Sequence, residues 1–202
     1  MFTGIVAGTG VVAAVEDSGA GDRRLTITAA LFAGRAPALG DSVAVDGACL
    51  TAAALADGGF AADVSAETLA CTTLGDFSPG RRVNLECALT PATPLGGHLV
   101  SGHVDATGEL RELAGDARSV RMRFAVPASL ARYIAVKGSV CVDGVSLTVN
   151  EIAADGFAVN IVPHTLAVTT LGEYAPGRRV NIEVDLVARY LERLLAARQA
   201  DD

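Results

Sequence analysis

The chain has 202 residues, half of them apolar, and its 16 basic and 23 acidic residues give a formal charge of −7. This acidic balance disfavours binding to nucleic acid or anionic lipid, and the apolar fraction excludes a disordered chain. We find no apolar run of the roughly 18 residues that a membrane-spanning helix needs, and no secretory signal pattern. We therefore expect a globular protein of the cytoplasm.

The four cysteines are spaced irregularly, at Cys49, Cys71, Cys87 and Cys141, and the chain has only three histidines. Zinc sites usually combine Cys-x-x-Cys pairs or regularly spaced Cys and His residues, so the sequence predicts no metal. Without an export signal, we expect these thiols to be reduced rather than joined in disulfides.

An internal repeat dominates the chain. The segment 41–86 returns as 138–183 at a constant offset of 97, and 25 of the 45 positions in 42–86 are identical to their counterparts. Upstream, FTGIVAGTG at Phe2 aligns with VSGHVDATG at Val100, with the offset changed to 98. The sequence therefore predicts two copies of one unit, 1–97 and 98–187, followed by a tail at 188–202.

Within each copy, apolar residues alternate with polar ones, a period of two that predicts short β-strands. In the first copy the expected strands are 25–28, 42–47, 59–64 and 82–86. Clusters of Gly, Asp, Ser and Pro separate them at the spacing of an antiparallel barrel or sandwich. Short helical turns are predicted from Glu67, over 128–135 after Pro127, and from Thr165. Each copy is expected to form a small closed barrel.

The tail changes to a helical period. An apolar stripe, called the tail stripe below, repeats along one side from 186 to 199 and consists of Leu186, Val187, Tyr190, Leu191, Leu194 and Leu195. Charged residues occupy the other side, which predicts an amphipathic helix. This helix could pack on its own barrel or against the same helix of neighbouring subunits, and periodicity does not separate the two.

Five positions differ in chemistry between the copies: Cys49 aligns with Ser146, Glu67 with His164, Ile5 with His103, Gly40 with Lys137, and Ala88 with Asp185. A thiol, hydroxyls and backbone amides in an apolar wall suit a polar heterocycle. Each residue also has a purely structural interpretation, because buried cysteines are usually inert and threonines such as Thr51 and Thr148 are common on strands. Spacing alone predicts two binding sites and leaves the reaction open.

Three segments carry a resemblance to a known family: Met1–Val6, Gly96–Asp105 and Asp143–Asn150. Together they closely resemble the riboflavin synthase family of two-repeat, lumazine-binding proteins, over nearly the whole chain. One departure is Asp46, which precedes Gly47 where that family often has Asn.

The resemblance implies an all-β fold of two tandem six-stranded antiparallel Greek-key barrels with a C-terminal α-helix. Each barrel would bind one molecule of 6,7-dimethyl-8-ribityllumazine. It further implies a homotrimer held by the C-terminal helices, with each active site between the N-terminal barrel of one subunit and the C-terminal barrel of the next. An association with lumazine synthase is also implied.

The implied reaction is a dismutation in which one lumazine gives a four-carbon unit to another, producing riboflavin and 5-amino-6-ribitylamino-pyrimidinedione. No metal or organic cofactor is implied. We expect Cys49, with Ser42 nearby, to act on the acceptor, and Ser146, Thr148 and Asp185 to hold and polarise the donor. His103 is the candidate for proton transfer, because its ordinary pKa lies near neutrality.

By the same resemblance, ring and ribityl contacts fall on corresponding segments of the two copies. In the first copy they are Gly4, Ile5, Val6, Cys49, Leu50, Thr51, Asp63, Val64, Ser65, Ala66, Glu67 and Thr68. In the second they are Gly102, His103, Val104, Lys137, Ser146, Leu147, Thr148, Asn160, Ile161, Val162, Pro163, His164 and Thr165.

Two other functions compete with the synthase. A non-enzymatic lumazine or flavin carrier, such as the antenna proteins built on the same repeat, would be expected to lose the reactive residues of one barrel, whereas this chain keeps Cys49, His103, Ser146 and Asp185. The flavin domain of a reductase would need a nicotinamide-binding βαβ half with a Gly-x-Gly-x-x-Gly turn, and no such segment is present.

Overall fold

The structure, a computed structural model, describes residues 1–33 and 36–200 and contains two antiparallel β-units followed by a helix. The strands of the first unit are β1 (Gly8–Gly19), β2 (Asp22–Thr28), β3 (Ser42–Val45), β4 (Ala48–Thr51), β5 (Ala54–Ala56), β6 (Gly59–Val64) and β7 (Arg82–Cys87). Those of the second are β8 (Ala106–Asp116), β9 (Ser119–Ala125), β10 (Ser139–Val142), β11 (Val145–Ala153), β12 (Gly156–Ile161) and β13 (Arg179–Val184). The predicted all-β fold of two repeats is confirmed.

Four α-helices accompany the strands: α1 (Ala66–Cys71), α2 (Ala128–Ala131), α3 (Pro163–Val168) and α4 (Leu186–Ala200). Short 3-10 helices cover Ala30–Ala33, Thr73–Asp76 and Thr170–Glu173. Helix α2 is shorter than the predicted 128–135. Beyond it the N–H groups of Tyr133 and Ile134 donate to carbonyls three residues back, at 3.0 and 3.2 Å, so the chain tightens instead of continuing as an α-helix.

The second unit is a closed six-stranded barrel in the order β10-β11-β12-β9-β8-β13. In the first unit the corresponding strands are neighbours in the same way, but two short strands, β4 and β5, stand where the second has β11. The first unit is therefore an open, seven-stranded half-barrel rather than the expected closed barrel of six strands. The interruption falls at Ala52 and Ala53, where β11 carries Val149 and Asn150 at a register shift. Alanine is depleted in strands, and the break is consistent with that preference.

The two units meet through their β3–β4 and β10–β11 hairpins. Each hairpin turns through an Asp-Gly pair with positive φ at both residues, at Asp46 and Gly47 and again at Asp143 and Gly144, so the predicted strand 42–47 ends at Val45. The turns lie back to back, because a Cβ on Gly47 would lie only 2.7 Å from the Gly144 nitrogen.

Two asparagines fasten this interface reciprocally. The Asn84 side chain donates to the Asp143 carbonyl oxygen (2.9 Å) and accepts from the Thr170 N–H (2.8 Å). Its counterpart Asn181 donates to the Asp46 carbonyl oxygen (2.7 Å) and accepts from the Thr73 N–H (2.7 Å). Both asparagines are buried, so each barrel supplies hydrogen bonds that the other barrel's buried backbone needs.

The two buried aspartates of this interface are satisfied unequally. Asp143 accepts from the Asn181 N–H (2.6 Å) and from the Tyr174 hydroxyl. Asp46 accepts from the Asn84 N–H (2.7 Å), and its Oδ2 lies 4.0 Å from an Arg81 nitrogen. Within the described part of the chain this oxygen has no hydrogen-bond partner, because Phe77 stands where the second repeat has Tyr174.

Burial is the main cause that raises the pKa of both carboxyl groups. It raises that of Asp143 to about 6, and the neighbouring Asp143 charge raises that of Asp46 further. The folded state therefore binds more protons than the unfolded chain, whose aspartates titrate near about 3.9. The stabilising contribution of these groups falls as the pH rises from about 4 past their folded pKa values.

Helix α4 turns its polar side toward its own barrel. Arg189 donates to Asp105 (2.6 Å), and Glu192 accepts from the Tyr133 hydroxyl and pairs with Arg132. The tail stripe points away: five of its side chains are between 52 and 70% exposed, namely Val187, Tyr190, Leu191, Leu194 and Leu195. Of the two sequence interpretations, packing of this stripe on its own barrel is wrong.

No helix within 1–33 and 36–200 is long and apolar enough to cross a membrane. The last two residues of the predicted tail 188–202 lie outside the described residues.

Phe77→Tyr should stabilise the protein, because the new hydroxyl would donate to Asp46 Oδ2 and reach Thr73 Oγ1, which also lacks a partner. A hydrogen bond to a charged group contributes about 1.5–3 kcal/mol, so Tm should rise by several degrees. The gain is largest where Asp46 is ionised, so it should grow as the pH rises through the folded pKa of this carboxyl group, which burial raises.

Thermal unfolding of both proteins over a series of pH values measures this difference. Tyr174→Phe is the matched control and should lower Tm. A Tm for Phe77→Tyr that is unchanged or lower at every pH would contradict the prediction.

Candidate active site

The segments that precede the two barrels pair with each other and then cross over. Phe2 and Val100 exchange two backbone hydrogen bonds, at 2.7 and 3.1 Å. Beyond this bridge, the Ser146 N–H donates to the Gly4 carbonyl oxygen and the Cys49 N–H donates to the Gly102 carbonyl oxygen, both at 2.8 Å. Each amino-terminal segment therefore covers a strand of the other repeat.

This crossing regroups the predicted contacts. The sequence analysis placed Gly4–Val6 with Cys49–Thr51, because both belong to the first copy. The structure instead brings Gly4 to Ser146 and Gly102 to Cys49. Each candidate site is thus a composite of both repeats: a Cys49 site covered by the segment 102–104, and a Ser146 site covered by the segment 4–6.

Two glutamates hold the crossed segments in place. Glu86 on β7 accepts from the Thr3 N–H and hydroxyl, both at 2.7 Å, and from the Gly4 N–H at 3.0 Å. Glu183 on β13 does the same for Ser101 and Gly102, at 2.7, 2.6 and 2.9 Å. Burial raises the pKa of both carboxyl groups, while the donated hydrogen bonds oppose that rise.

Both crossing points need glycine. Gly4 has a φ of +73° and Gly102 a φ of +79°, in the left-handed region. A Cβ on Gly4 would lie 2.6 Å from the Ser146 Cβ, and a Cβ on Gly102 would lie 2.6 Å from the Cys49 Cβ. Any larger residue would push the covering segment away from the reactive side chain.

The Cys49 site lies on the outer face of the first barrel. Cys49 is half-buried and packs against an apolar cluster that contains Phe2, Ala44, Val100 and Cys141. Thr51 is exposed and pairs in register with Ser42 across β3 and β4, so the structure brings these predicted residues together.

The turn from β6 into α1 carries the other predicted contacts of the first copy. Exposed Asp63 accepts two hydrogen bonds from Arg24, at 2.7 and 2.9 Å, and Arg24 lowers the pKa of that carboxyl. Ser65 caps helix α1 by accepting from the Thr68 N–H at 3.3 Å. Glu67 accepts from the Cys71 thiol at 3.3 Å. These residues therefore have structural partners of their own, whatever they bind.

The Ser146 site repeats this layout on the second barrel. Ser146 is half-buried and Thr148 is exposed on β11. Asn160, the counterpart of Asp63, donates to Asp116 at 2.7 Å. His164 is exposed in the first turn of α3, directly after Pro163.

Lys137 has a backbone conformation that lysine rarely adopts. Its φ is +68°, whereas the first repeat has Gly40 there with a φ of +86°. Its N–H donates to the Val149 carbonyl oxygen at 2.8 Å, which fixes this conformation beside β11. A strained residue where glycine would be free of strain points to a use for its side chain.

The positions of two predicted catalytic residues, His103 and Asp185, do not by themselves indicate a catalytic role. The His103 side chain is exposed and has no hydrogen-bond partner within the described part of the chain. Asp185 lies directly before α4, and its Oδ1 accepts from the Val187 N–H at 2.9 Å, which makes it a helix cap. Removing Asp185 would therefore disturb α4 as well as any chemistry.

A cleft of about 830 Å³ opens beside β3 and the segment 87–96. Of the predicted site residues it reaches Ser42 and Ile5 but neither Cys49 nor Ser146. The candidate reactive residues therefore lie at the two crossing points rather than in this cleft.

Sequence comparison of the copies missed His98. Its Nδ1 lies 2.7 Å from Ser146 Oγ, and the ring is buried. Burial lowers its pKa, while the nearby Asp185 charge opposes that shift, so the ring is neutral at neutral pH. At the offset of 98, no residue of the first copy aligns with His98, so comparing the two copies could not single it out.

A family model described as the lumazine binding domain matches residues 3–88 and again residues 101–185. The riboflavin synthase of Mycobacterium tuberculosis (strain ATCC 25618 / H37Rv) is 49% identical over 202 residues, covering 96% of this chain and 98% of the relative. That of Photobacterium phosphoreum is 42% identical over 202 residues, covering 100% and 92%.

A crystal structure described as LumP complexed with riboflavin matches with a TM-score of 0.83 and 23% identity, covering 91% of this chain and 99% of that chain. At that identity the likeness concerns the fold alone. The two family-model matches and the full-length sequence relatives go further, and they show that the chain belongs to the riboflavin synthase family of lumazine-binding proteins.

Proposed function

We propose that this chain converts two molecules of 6,7-dimethyl-8-ribityllumazine into riboflavin and 5-amino-6-ribitylamino-pyrimidinedione by transfer of a four-carbon unit. The observation that carries the proposal is the pair of composite sites, in which Cys49 and Ser146 occupy matching positions beside a glycine carbonyl. Two equivalent sites with different reactive groups suit a reaction in which two identical substrates take different roles.

The substrate supplies much of the reactivity. A methyl group on the electron-poor lumazine ring is unusually acidic, so the protein has to orient two rings and stabilise a carbanion. Effective concentration can contribute about 7–11 kcal/mol to such a step. In this proposal Ser146, Thr148 and Asp185 serve the donor, while Cys49 and Ser42 serve the acceptor.

The crossing supports a role for His103 at the acceptor site. His103 follows Gly102, whose carbonyl oxygen accepts from Cys49, so its imidazole belongs to the covering segment of the Cys49 site. An exposed imidazole there can exchange protons with water and substrate. The remaining ring and ribityl contacts are proposed on the segments 4–6, 49–51, 63–68, 102–104, 146–148 and 160–165, together with Lys137.

We propose that the units 1–97 and 98–187 each bind one lumazine and that the tail 188–202 joins three subunits. The exposed tail stripe supports this assembly, because apolar patches of this kind mark protein contacts. Each active site would then lie between the first barrel of one subunit and the second barrel of the next. A cytoplasmic location and an association with lumazine synthase complete the proposal.

A lumazine or flavin carrier is the competing function. The LumP crystal structures are complexes with 6,7-dimethyl-8-(1'-D-ribityl) lumazine, riboflavin and flavin mononucleotide, so this fold serves binding in that protein. Those chains are only 22–23% identical to this one, against 38–49% for the synthases. The retained pair of Cys49 and Ser146 also favours the enzyme.

The purified chain, given 6,7-dimethyl-8-ribityllumazine alone, should form riboflavin at half the amount of lumazine consumed, as measured by chromatography. Cys49→Ser and Asp185→Asn should each lower turnover with an unchanged Tm, since Asn keeps the cap on α4. Bound but unconverted lumazine would instead identify a carrier. Full activity in both variants would exclude these two roles.

Gly4→Ala and Gly102→Ala should each lower turnover by at least tenfold, because the new methyl group would displace the covering segment from Ser146 or Cys49. Gly80→Ala is the matched control: Gly80 has a φ of +91°, but nothing lies within 4 Å of a Cβ there. It should lose about 1 kcal/mol of stability and retain turnover. Equal turnover in all three variants would refute the composite sites.

Lys137→Gly should separate function from folding. The change relieves about 1 kcal/mol of left-handed strain, which the greater entropy of the unfolded glycine largely offsets, so Tm should stay within a few degrees. Turnover should fall because the ammonium group is lost. A large fall in Tm with normal turnover per folded molecule would show that Lys137 is structural.

A further inference from the structure

Ser146 has a partner that Cys49 lacks. The His98 Nδ1 lies 2.7 Å from Ser146 Oγ, whereas among the described residues Cys49 makes a single hydrogen bond to the crossed segment, from its N–H to the Gly102 carbonyl oxygen. The chain can approach so closely because residue 97 is glycine: a Cβ there would lie 2.2 Å from the Thr3 carbonyl oxygen and 2.9 Å from Ser146 Oγ.

The surroundings of the His98 ring suit a proton acceptor. The residue is only 8% exposed, and its Nε2 is buried with no hydrogen-bond partner in the described part of the chain. A purely structural imidazole would be expected to satisfy both nitrogens. Burial keeps the ring neutral, and the Asp185 charge favours the protonated ring.

We propose that His98 is a positioning residue that accepts the hydroxyl proton of Ser146 while Ser146 Oγ takes a proton from the ring methyl group of the lumazine at that site. The inference rests on the proposed function and deepens it, because it makes the Ser146 site the one that generates the carbanion. The Cys49 site, without an imidazole in that position, then receives the four-carbon unit.

The proton balance is closed within the site. The methyl C–H bond breaks, its electron pair stays on the lumazine ring system, and the proton moves to Ser146 Oγ. The former Ser146 proton moves to His98 Nδ1, so that a lumazine anion and an imidazolium result. The negative charge of Asp185 stabilises that imidazolium. No oxidant or reductant is needed.

Exchange of the lumazine methyl protons with D2O, followed by proton NMR and corrected for the rate without protein, isolates this step. His98→Asn keeps a polar group near the Nδ1 position but removes its basicity, so exchange should slow by about 10²-fold. Riboflavin affinity, measured by fluorescence titration, should be unchanged and serves as the control for folding. Unchanged exchange would overturn the proposal.

A double-mutant cycle tests whether His98 acts through Ser146. Ser146→Ala should slow exchange, and the combined His98→Asn and Ser146→Ala variant should be no slower than Ser146→Ala alone. Additive losses would mean that the two residues act independently, which contradicts the proposal.

Nitrogen NMR of labelled protein reports whether His98 has the tautomer that the proposal requires. We expect neutral His98 with its proton on Nε2, since Nδ1 must be free to accept from Ser146; a proton on Nδ1 would overturn the inference. If the unmodified chain neither exchanges methyl protons nor forms riboflavin, the proposed function itself fails. If it does both and His98→Asn matches it, only the role of His98 fails.

Discussion

The rest of the site depends on the crossing of the two amino-terminal segments. Each carries a glycine carbonyl to a strand of the opposite repeat, where it accepts from the N–H of Ser146 or Cys49 at 2.8 Å. A backbone hydrogen bond fixes the reactive residue more rigidly than a side-chain contact would, because neither partner has rotamers to explore. Glu86 and Glu183 then anchor the segments, so a buried carboxylate in each barrel positions the site on the other.

This arrangement explains why the two copies stay together. A barrel that bound its own amino-terminal segment could act alone. Here each candidate site is covered by the amino-terminal segment of the other repeat. The reciprocal bonds of Asn84 and Asn181 across the hairpin interface add to that dependence, since each satisfies backbone groups of the opposite repeat. The duplicated scaffold is therefore one cooperative unit with two candidate sites, one centred on Cys49 and the other on Ser146.

Sequence reasoning reached the fold because the repeat and the period-two pattern both report local geometry. The strands around Leu25, Val43, Phe60 and Val83 follow from the alternation of apolar and polar residues. The break at Ala52 was not predicted, because the two repeats were expected to have the same strands. The crossing was out of reach because it depends on contacts such as Gly4 to Ser146, far apart in the chain. Comparing copies favoured grouping within a copy, which the structure reverses.

Lys137, His98 and Asp46 each depart from a local rule, and their locations indicate two causes. Lys137 has a left-handed conformation beside β11, and His98 has a nitrogen without a hydrogen-bond partner beside Ser146, so both lie among the candidate contacts of the second repeat. Asp46 lies at the barrel interface, in the hairpin turn, and its Oδ2 has Arg81 at 4.0 Å but no hydrogen-bond partner in the described part of the chain.

Arg81, at 4.0 Å, compensates the Asp46 charge only in part, and the second repeat shows what hydrogen-bonds an aspartate there: a tyrosine hydroxyl where the first repeat has Phe77. The interface defect is therefore separable from catalysis, whereas the irregularities at Ser146 are not. Because the two repeats share one scaffold, each acts as an internal control for the other. An irregularity that lies beside a reactive side chain, as His98 does beside Ser146, indicates function. An irregularity that is absent from the other repeat because of one extra hydroxyl, as at Asp46, indicates a loss of stability that the fold tolerates.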